Sequence, residues 1–155
     1  MLSMSACSLF QGLTPPPLST ALSPGPPPPP PPPPPQSREP PAADEAQADI
    51  AAWLSAHGYK NFQVEALLEH ARIESGFQAC AAGPGGYRYI FQWGGGRLRQ
   101  LQEFAHTSGC PHIHTQLAFA DHELRDEPQF ACFWGATTES DAFRALRRGF
   151  GGGSC

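Results

Sequence analysis

The fold is decided by residues 69–93, EHARIESGFQACAAGPGGYRYIFQW, where a helix ending in a carboxylate is followed by a Gly-rich turn and an aromatic segment. The helix is predicted to begin upstream at Asn61, a residue type that caps first turns. Gly76 ends it, because glycine takes a positive φ without strain. Its apolar residues recur every three or four positions, which predicts one core-facing side: Val64, Leu67, Leu68 and Ala71.

Glu74 continues the apolar side of this helix, since it comes one helical turn after Ala71. Apolar neighbours and the negative end of the helix dipole both favour the protonated form of a carboxyl group in this position. A carboxyl group that holds its proton near neutral pH can act as a general acid. The alternative is an ordinary helix-end carboxylate that is solvated or paired with Arg72, Arg88 or Arg97.

The aromatic segment alternates aromatic with other side chains over residues 87–93, which predicts a short extended stretch with four aromatics on one side. Aromatic faces can stack on sugar rings, and the amide of Gln92 can hydrogen-bond a hydroxyl or N-acetyl group. Phe91 and Trp93 are expected in the core, whereas Tyr87 and Tyr89 are candidates for a cleft.

Several segments follow one another in an order that is typical of a known family. They are IESGF at 73–77, GPGG at 83–86, YIFQW at 89–93, RLRQLQEFA at 97–105, QLAFADHEL at 116–124 and ATTESDAFRALRRGF at 136–150. Together they resemble the lysozyme-like domain of phage tail lysozymes and related peptidoglycan hydrolases. Two departures stand out: Tyr89 and Ile90 occupy positions where that family usually has Gly and Leu, and GGG follows Trp93 where an acidic residue is common.

The resemblance implies a mainly α, lysozyme-like domain that cleaves peptidoglycan between N-acetylmuramic acid and N-acetylglucosamine. Glu74 would protonate the leaving oxygen, and the substrate-binding residues would be Gln92, Tyr89, Tyr87 and Ser75. A muramidase with two carboxylates would need a second one, for which Asp121 and Glu123 are candidates. A lytic transglycosylase would use a single acid and the sugar's own 6-hydroxyl, and the sequence leaves both routes open. No cofactor is expected.

Two other classes of function stay open. The domain could be an inactive peptidoglycan-binding or structural module, because bulky Tyr89 and Ile90 could narrow the cleft. An adaptor built around the proline run is the third alternative.

Proline divides the chain of 155 residues into two parts. Ten consecutive prolines at 26–35 favour a stiff polyproline II spacer, so residues 1–41 are predicted to be a disordered N-terminus and linker. Residues 42–155 are predicted to form the mainly α domain with one short extended segment, and the protein is expected to be a monomer. The net charge of −4 argues against nucleic-acid binding, and no apolar run has the ~20 residues that span a bilayer.

The first ten residues, MLSMSACSLF, lack the basic start and apolar centre of a complete signal peptide. Residues 4–7, Met-Ser-Ala-Cys, nevertheless resemble the end of a lipoprotein signal, so Cys7 is a candidate lipid anchor if the true start lies upstream. The expected location is the periplasm, the cell envelope or a phage particle.

Five cysteines cannot all pair within one chain. For an exported protein, one bridge is expected among Cys80, Cys110 and Cys132, and a bridge at Cys80 would stabilise the loop after Glu74. The unrelated spacings of these cysteines also fit reduced thiols in the core. The pattern Cys110-x-His112-x-His114 lacks a defined fourth ligand and a Cys-x-x-Cys pair, so no metal site is expected.

Four more helices are predicted from periodicity and end signals. The first begins with a capping box of Asp44 and Gln47 and ends at Gly58. The others cover 97–106, 111–125 and a final helix from a Thr138 and Asp141 capping pair to Gly149.

Overall fold

The computed structural model describes residues 42–155; the predicted N-terminal arm and the candidate anchor Cys7 lie outside the described residues. Within this range the chain forms six α-helices: α1 (Ala43–Ala56), α2 (Asn61–Ser75), α3 (Gly95–Phe104), α4 (Ile113–Asp126), α5 (Ala131–Gly135) and α6 (Glu139–Phe150). Two 3-10 turns, Pro84–Gly86 and Pro128–Phe130, complete the regular structure. The mainly α prediction is confirmed, although α5 and the turn before it were not predicted.

Helix α2 is central to the packing because it contacts both α1 and α6, while α4 packs against α1, α3 and α5. All four residues of the predicted apolar side of α2 are buried. The largest fully buried side chains of the described residues include Trp93, Phe130 and Phe133. The periodicity of α2 therefore predicted its buried face correctly.

Two predicted helix caps are wrong. Helix α1 starts after Ala42, so Asp44 lies inside the first turn, where its charge meets the positive end of the helix dipole. Asn61 is likewise the first residue of α2, and the backbone N–H of the preceding Lys60 donates to Gln63 Oε1 at 2.9 Å. The predicted cap of α6 is confirmed, since the Thr138 side chain accepts from the backbone N–H of Asp141.

The segment 87–93 reverses direction and is not one extended stretch. Arg88 and Trp93 exchange two backbone hydrogen bonds of 2.9 and 2.8 Å around a tight turn. Tyr89 and Gln92 take positive φ values of 72° and 49° within that turn. The predicted alternation of faces is therefore wrong, because the turn buries Tyr89, Ile90, Phe91 and Trp93 together.

The side chain of Gln116 on α4 ties three loop segments together and is fully buried. Its Nε2 donates to the carbonyls of Ala79 and Pro111, both at 2.9 Å. Its Oε1 accepts from the backbone N–H of Ile90 at 3.1 Å. One amide thus fixes the aromatic turn against the loop that follows α2.

Two disulfides join distant loops. Cys80–Cys110, with Cα atoms 5.5 Å apart, connects the loop after α2 to the segment before α4 and confirms the predicted bridge. Cys132–Cys155 attaches the C-terminal segment to α5 and was not predicted. None of the helices in residues 42–155 combines the length and the apolar character needed to cross a bilayer.

Candidate active site

A cleft of about 810 Å³ lies beside the C-terminal end of α2. Its walls come from α2, the Gly-rich loop, the start of α3 and the end of α6. The lining residues are His70, Glu74, Gly83, Pro84, Tyr87, Phe91, Gln92, Gly94, Gly95, Arg97, Arg147, Phe150, Gly151 and Gly152.

Glu74 lines this cleft from the last turn of α2, which ends at Gly76 with a φ of 58°. Its side chain is 34% exposed, so its removal from water is only partial. Arg72 binds Glu69 and Arg97 binds Glu123, and within residues 42–155 no arginine lies within ion-pair distance of Glu74. The arginine-paired interpretation of Glu74 is therefore wrong.

His70 lies one turn before Glu74 and was not identified from the sequence. Its Nδ1 is 3.9 Å from Glu74 Oε1, and its ring stacks on Phe91 and on Phe150, with centroid distances of 5.6 and 4.7 Å. Burial first, and then the charges of Arg147 and Arg97, lower the pKa of the His70 imidazole to about 4. The ring is thus uncharged at neutral pH. Its spacing of four residues from Glu74 is the sequence signal that could have revealed it.

Tyr87 and Gln92 are the predicted sugar-binding residues that the structure brings to the cleft. Tyr87 is 50% exposed, and Gln92 donates from Nε2 to the Tyr89 carbonyl at 2.9 Å. Glycine is needed beside both of them. A Cβ at Gly94 would lie 2.7 Å from the Tyr87 ring, and one at Gly83 would overlap the Gln92 amide.

Tyr89 and Ser75 do not reach the cleft. Tyr89 is 5% exposed, and its hydroxyl donates to the Gly109 carbonyl at 2.6 Å. Ser75 donates to the Ala71 carbonyl within its own helix. Ile90 is fully buried, so the bulk of Tyr89 and Ile90 fills the core and does not narrow the cleft. The prediction that Tyr89 lies in the cleft is wrong, because it assumed that residues 87–93 are extended.

Neither candidate for a second carboxylate lines the cleft. Asp121 accepts from the Tyr59 hydroxyl at 2.7 Å and from Arg125 Nε at 2.8 Å. Burial and this hydrogen bond to Asp121 raise the pKa of the Tyr59 hydroxyl. Glu123 is buried and accepts from both Arg97 and Trp93. Glu74 is the one carboxylate among the described residues that line the cleft.

The cationic side of the cleft consists of Arg97 and Arg147. The Arg97 guanidinium lies 4.7 Å from the centroid of the Phe150 ring as well as binding Glu123. Arg147 is exposed and has no ion-pair partner within residues 42–155. The cleft therefore combines one carboxylate, one neutral imidazole and two cations.

The cysteine–histidine pattern at residues 110–114 is used for structure. Cys110 is bound in a disulfide, and His114 Nε2 lies 3.0 Å from Asp49 on α1. The described part of the chain contains no group of three or more His, Cys, Asp or Glu side chains arranged to hold a metal ion.

The sequence model of the phage tail lysozyme family matches residues 45–150. No curated protein and no solved structure matches the chain. A match of this extent covers more than half of the 155 residues. The chain therefore belongs to the phage tail lysozyme family, whose members are glycosidase-type enzymes that act on peptidoglycan.

Proposed function

We propose that the domain cleaves peptidoglycan glycan strands between N-acetylmuramic acid and N-acetylglucosamine, with Glu74 as the general acid. The observation that supports this role is that Glu74 is the one carboxylate among the described cleft residues and has no arginine partner. A partly desolvated carboxyl group without an arginine partner can serve as the proton donor that protonation of a glycosidic oxygen requires.

A mechanism with one carboxylate accounts best for the cleft. Glu74 donates its proton to the leaving oxygen while the glycosidic bond breaks, and the muramic acid ring becomes oxocarbenium-like. The 6-hydroxyl oxygen of the same sugar then bonds to the ring carbon that carried the broken glycosidic bond, and the hydroxyl proton returns to Glu74. Asp121 and Glu123, the other candidates, are engaged elsewhere by Arg125 and Arg97, which favours this intramolecular route over activation of water by a second carboxylate.

Tyr87 and Gln92 are the side chains that we propose to contact the sugars. The exposed Tyr87 ring offers a face for stacking, and Gln92 has an amide oxygen to accept from a hydroxyl or N-acetyl N–H. Arg147, which has no ion-pair partner within residues 42–155, gives this side of the cleft a positive charge, which suits the carboxylates of peptide stems.

Mass spectrometry of the soluble products from purified peptidoglycan tests the proposal. The full chain is compared with Glu74→Gln and with Glu69→Gln, a matched control whose carboxylate pairs with Arg72 and does not line the cleft. We expect anhydro products from the wild type and the control, and none from Glu74→Gln, which should still bind sacculi.

Three results would contradict parts of this proposal. Turnover by Glu74→Gln would refute the role of Glu74 as the general acid. Reducing-end products would refute the intramolecular route and leave Glu74 as the acid of a hydrolase. Binding of sacculi by the wild type without any product would identify an inactive binding module.

A further inference from the structure

His70 is a buried polar side chain without a hydrogen-bond partner. It is 3% exposed, and neither Nδ1 nor Nε2 has a hydrogen-bond partner among residues 42–155. Buried polar atoms without partners cost free energy, so they are uncommon and often occur at functional sites. The carboxyl group of Glu74, with Oε1 at 3.9 Å from Nδ1, is within ion-pair range and slightly too far for a hydrogen bond.

The surroundings of His70 oppose a positive charge on its ring. Phe91 and Phe150, which also stack on each other, both pack against it. Arg97 from α3 and Arg147 from α6 line the same cleft, and Glu74 is the charged group that faces the ring from its own helix. Burial, and after it the two cations, lowers the pKa of His70 and keeps the imidazole uncharged near pH 7.

We propose, on the basis of the function proposed above, that His70 is a positioning residue for Glu74. In the substrate complex its Nδ1–H donates to Oε1 of the Glu74 carboxyl group, which leaves the other oxygen to carry the acid proton into the cleft. The approach needed from 3.9 Å to hydrogen-bond distance is about 1 Å, which a rotation of a partly exposed glutamate side chain can supply.

The neutral state of His70 is essential to this role. A neutral N–H donor orients the carboxyl group without drawing off its proton, whereas an imidazolium would favour the Glu74 carboxylate before the reaction began. As Glu74 transfers its proton, the hydrogen bond from His70 becomes charge-assisted and therefore stronger. This interaction stabilises the transition state more than the ground state. His70 itself neither gains nor loses a proton.

Kinetics of two His70 variants test the positioning role. His70→Phe keeps an aromatic ring packed against Phe91 and Phe150 but removes the donor, whereas His70→Gln keeps an N–H donor on the same helix position. We expect His70→Phe to lower kcat at least tenfold with little change in KM, because a misplaced catalytic group costs roughly that much or more. We expect His70→Gln to recover most of the lost kcat.

A pair of arginine variants tests the role of the neutral ring. Arg147→Gln should raise the pKa of His70 toward its ordinary value and move the acidic limb of the kcat profile to higher pH. Arg148→Gln removes the same charge from the next residue of α6, which does not line the cleft, and should leave both unchanged. The His70 pKa and its tautomer are followed by NMR of the full chain labelled with ¹⁵N-histidine, which requires no turnover.

The outcomes separate this inference from the proposed function. If the wild type releases no glycan product, the proposed function is refuted, and so is the role of His70. If the wild type cleaves glycan but His70→Phe matches its kcat, the function stands and the positioning role is refuted. A wild-type His70 that carries its proton on Nε2, or is charged at neutral pH, also refutes the role. Failure of His70→Phe to fold leaves the tautomer and the Arg147→Gln profile to decide.

Discussion

The buried carboxylate of Glu123 accepts two hydrogen bonds from the guanidinium of Arg97, at 2.6 and 2.7 Å. A third comes from the Trp93 indole N–H at 2.8 Å. The three bonds join α4 to the start of α3 and to the aromatic turn. They hold Arg97 in the cleft wall and explain why Glu123, a candidate second carboxylate, is unavailable for catalysis.

Glu123→Gln should lower the free energy of unfolding by about 2–4 kcal/mol, because it breaks a largely buried ion pair and leaves Arg97 without its counter-charge. Urea denaturation of the full chain measures this. Glu103→Gln, an exposed carboxylate on the neighbouring helix, should change it by less than about 0.5 kcal/mol. Equal stability of wild type and Glu123→Gln would show that the Arg97 pair contributes nothing.

Tyr89→Phe should lower stability by about 1 kcal/mol, since it removes only the hydrogen bond to the Gly109 carbonyl. Affinity for glycan fragments, measured by calorimetry in the Glu74→Gln background, should not change, because Tyr89 is buried away from the cleft. A clear loss of affinity with unchanged stability would return Tyr89 to the sugar-binding surface.

Tyr87→Ala should have the opposite effect. The ring is half exposed at the cleft, so its removal should weaken glycan binding by roughly tenfold, the value of an aromatic contact of ~1.4 kcal/mol, and should alter stability little. The same calorimetric titration, with thermal unfolding alongside, measures both quantities. Undiminished affinity would exclude Tyr87 as a stacking platform.

Acidification should destabilise the domain through His70. The folded pKa is about 4 and the ordinary value is 6.5, so the unfolded chain binds a proton that the folded chain refuses between these values. This contribution to the free energy of unfolding is fully present above pH 6.5 and is lost as the pH falls. The loss reaches about 3 kcal/mol at pH 4.

His70→Phe should lack this contribution, so its unfolding free energy should fall less than that of the wild type between pH 7 and pH 4.5. Denaturant unfolding at the two pH values gives the difference directly. Parallel losses in wild type and variant would mean that His70 titrates normally in the folded protein.

Replacing Cys80 and Cys110 together by serine should lower the unfolding free energy by about 3 kcal/mol, because it restores the freedom of a chain segment of 30 residues in the unfolded state. The comparison is the Cys132→Ser and Cys155→Ser pair, whose bridge closes a segment of similar length, 23 residues. Urea unfolding of the oxidised proteins measures both. No loss of stability in the first pair would mean that the bridge is absent or strained.

The sequence by itself determined five of the six described helices and the place of Glu74 at the end of α2. Apolar periodicity and the stop at Gly76 act within a few residues, so they predicted α2, its buried side and the location of Glu74 at its end. The order of the family segments over residues 73–150 added the expectation of glycan cleavage, and the family match agrees with it.

Only the tertiary structure decided which other side chains share the site. The turn at Tyr89 depends on positive φ values and on Gln116, a partner on α4, so alternation alone placed Tyr89 on the wrong side. The fate of Glu123 depends on Arg97 from another helix. His70 becomes buried and neutral through Phe150 and Arg147, which α6 brings from the far end of the chain. Local patterns specify helices because their forces act within one turn, whereas burial and charge depend on contacts between residues distant in sequence.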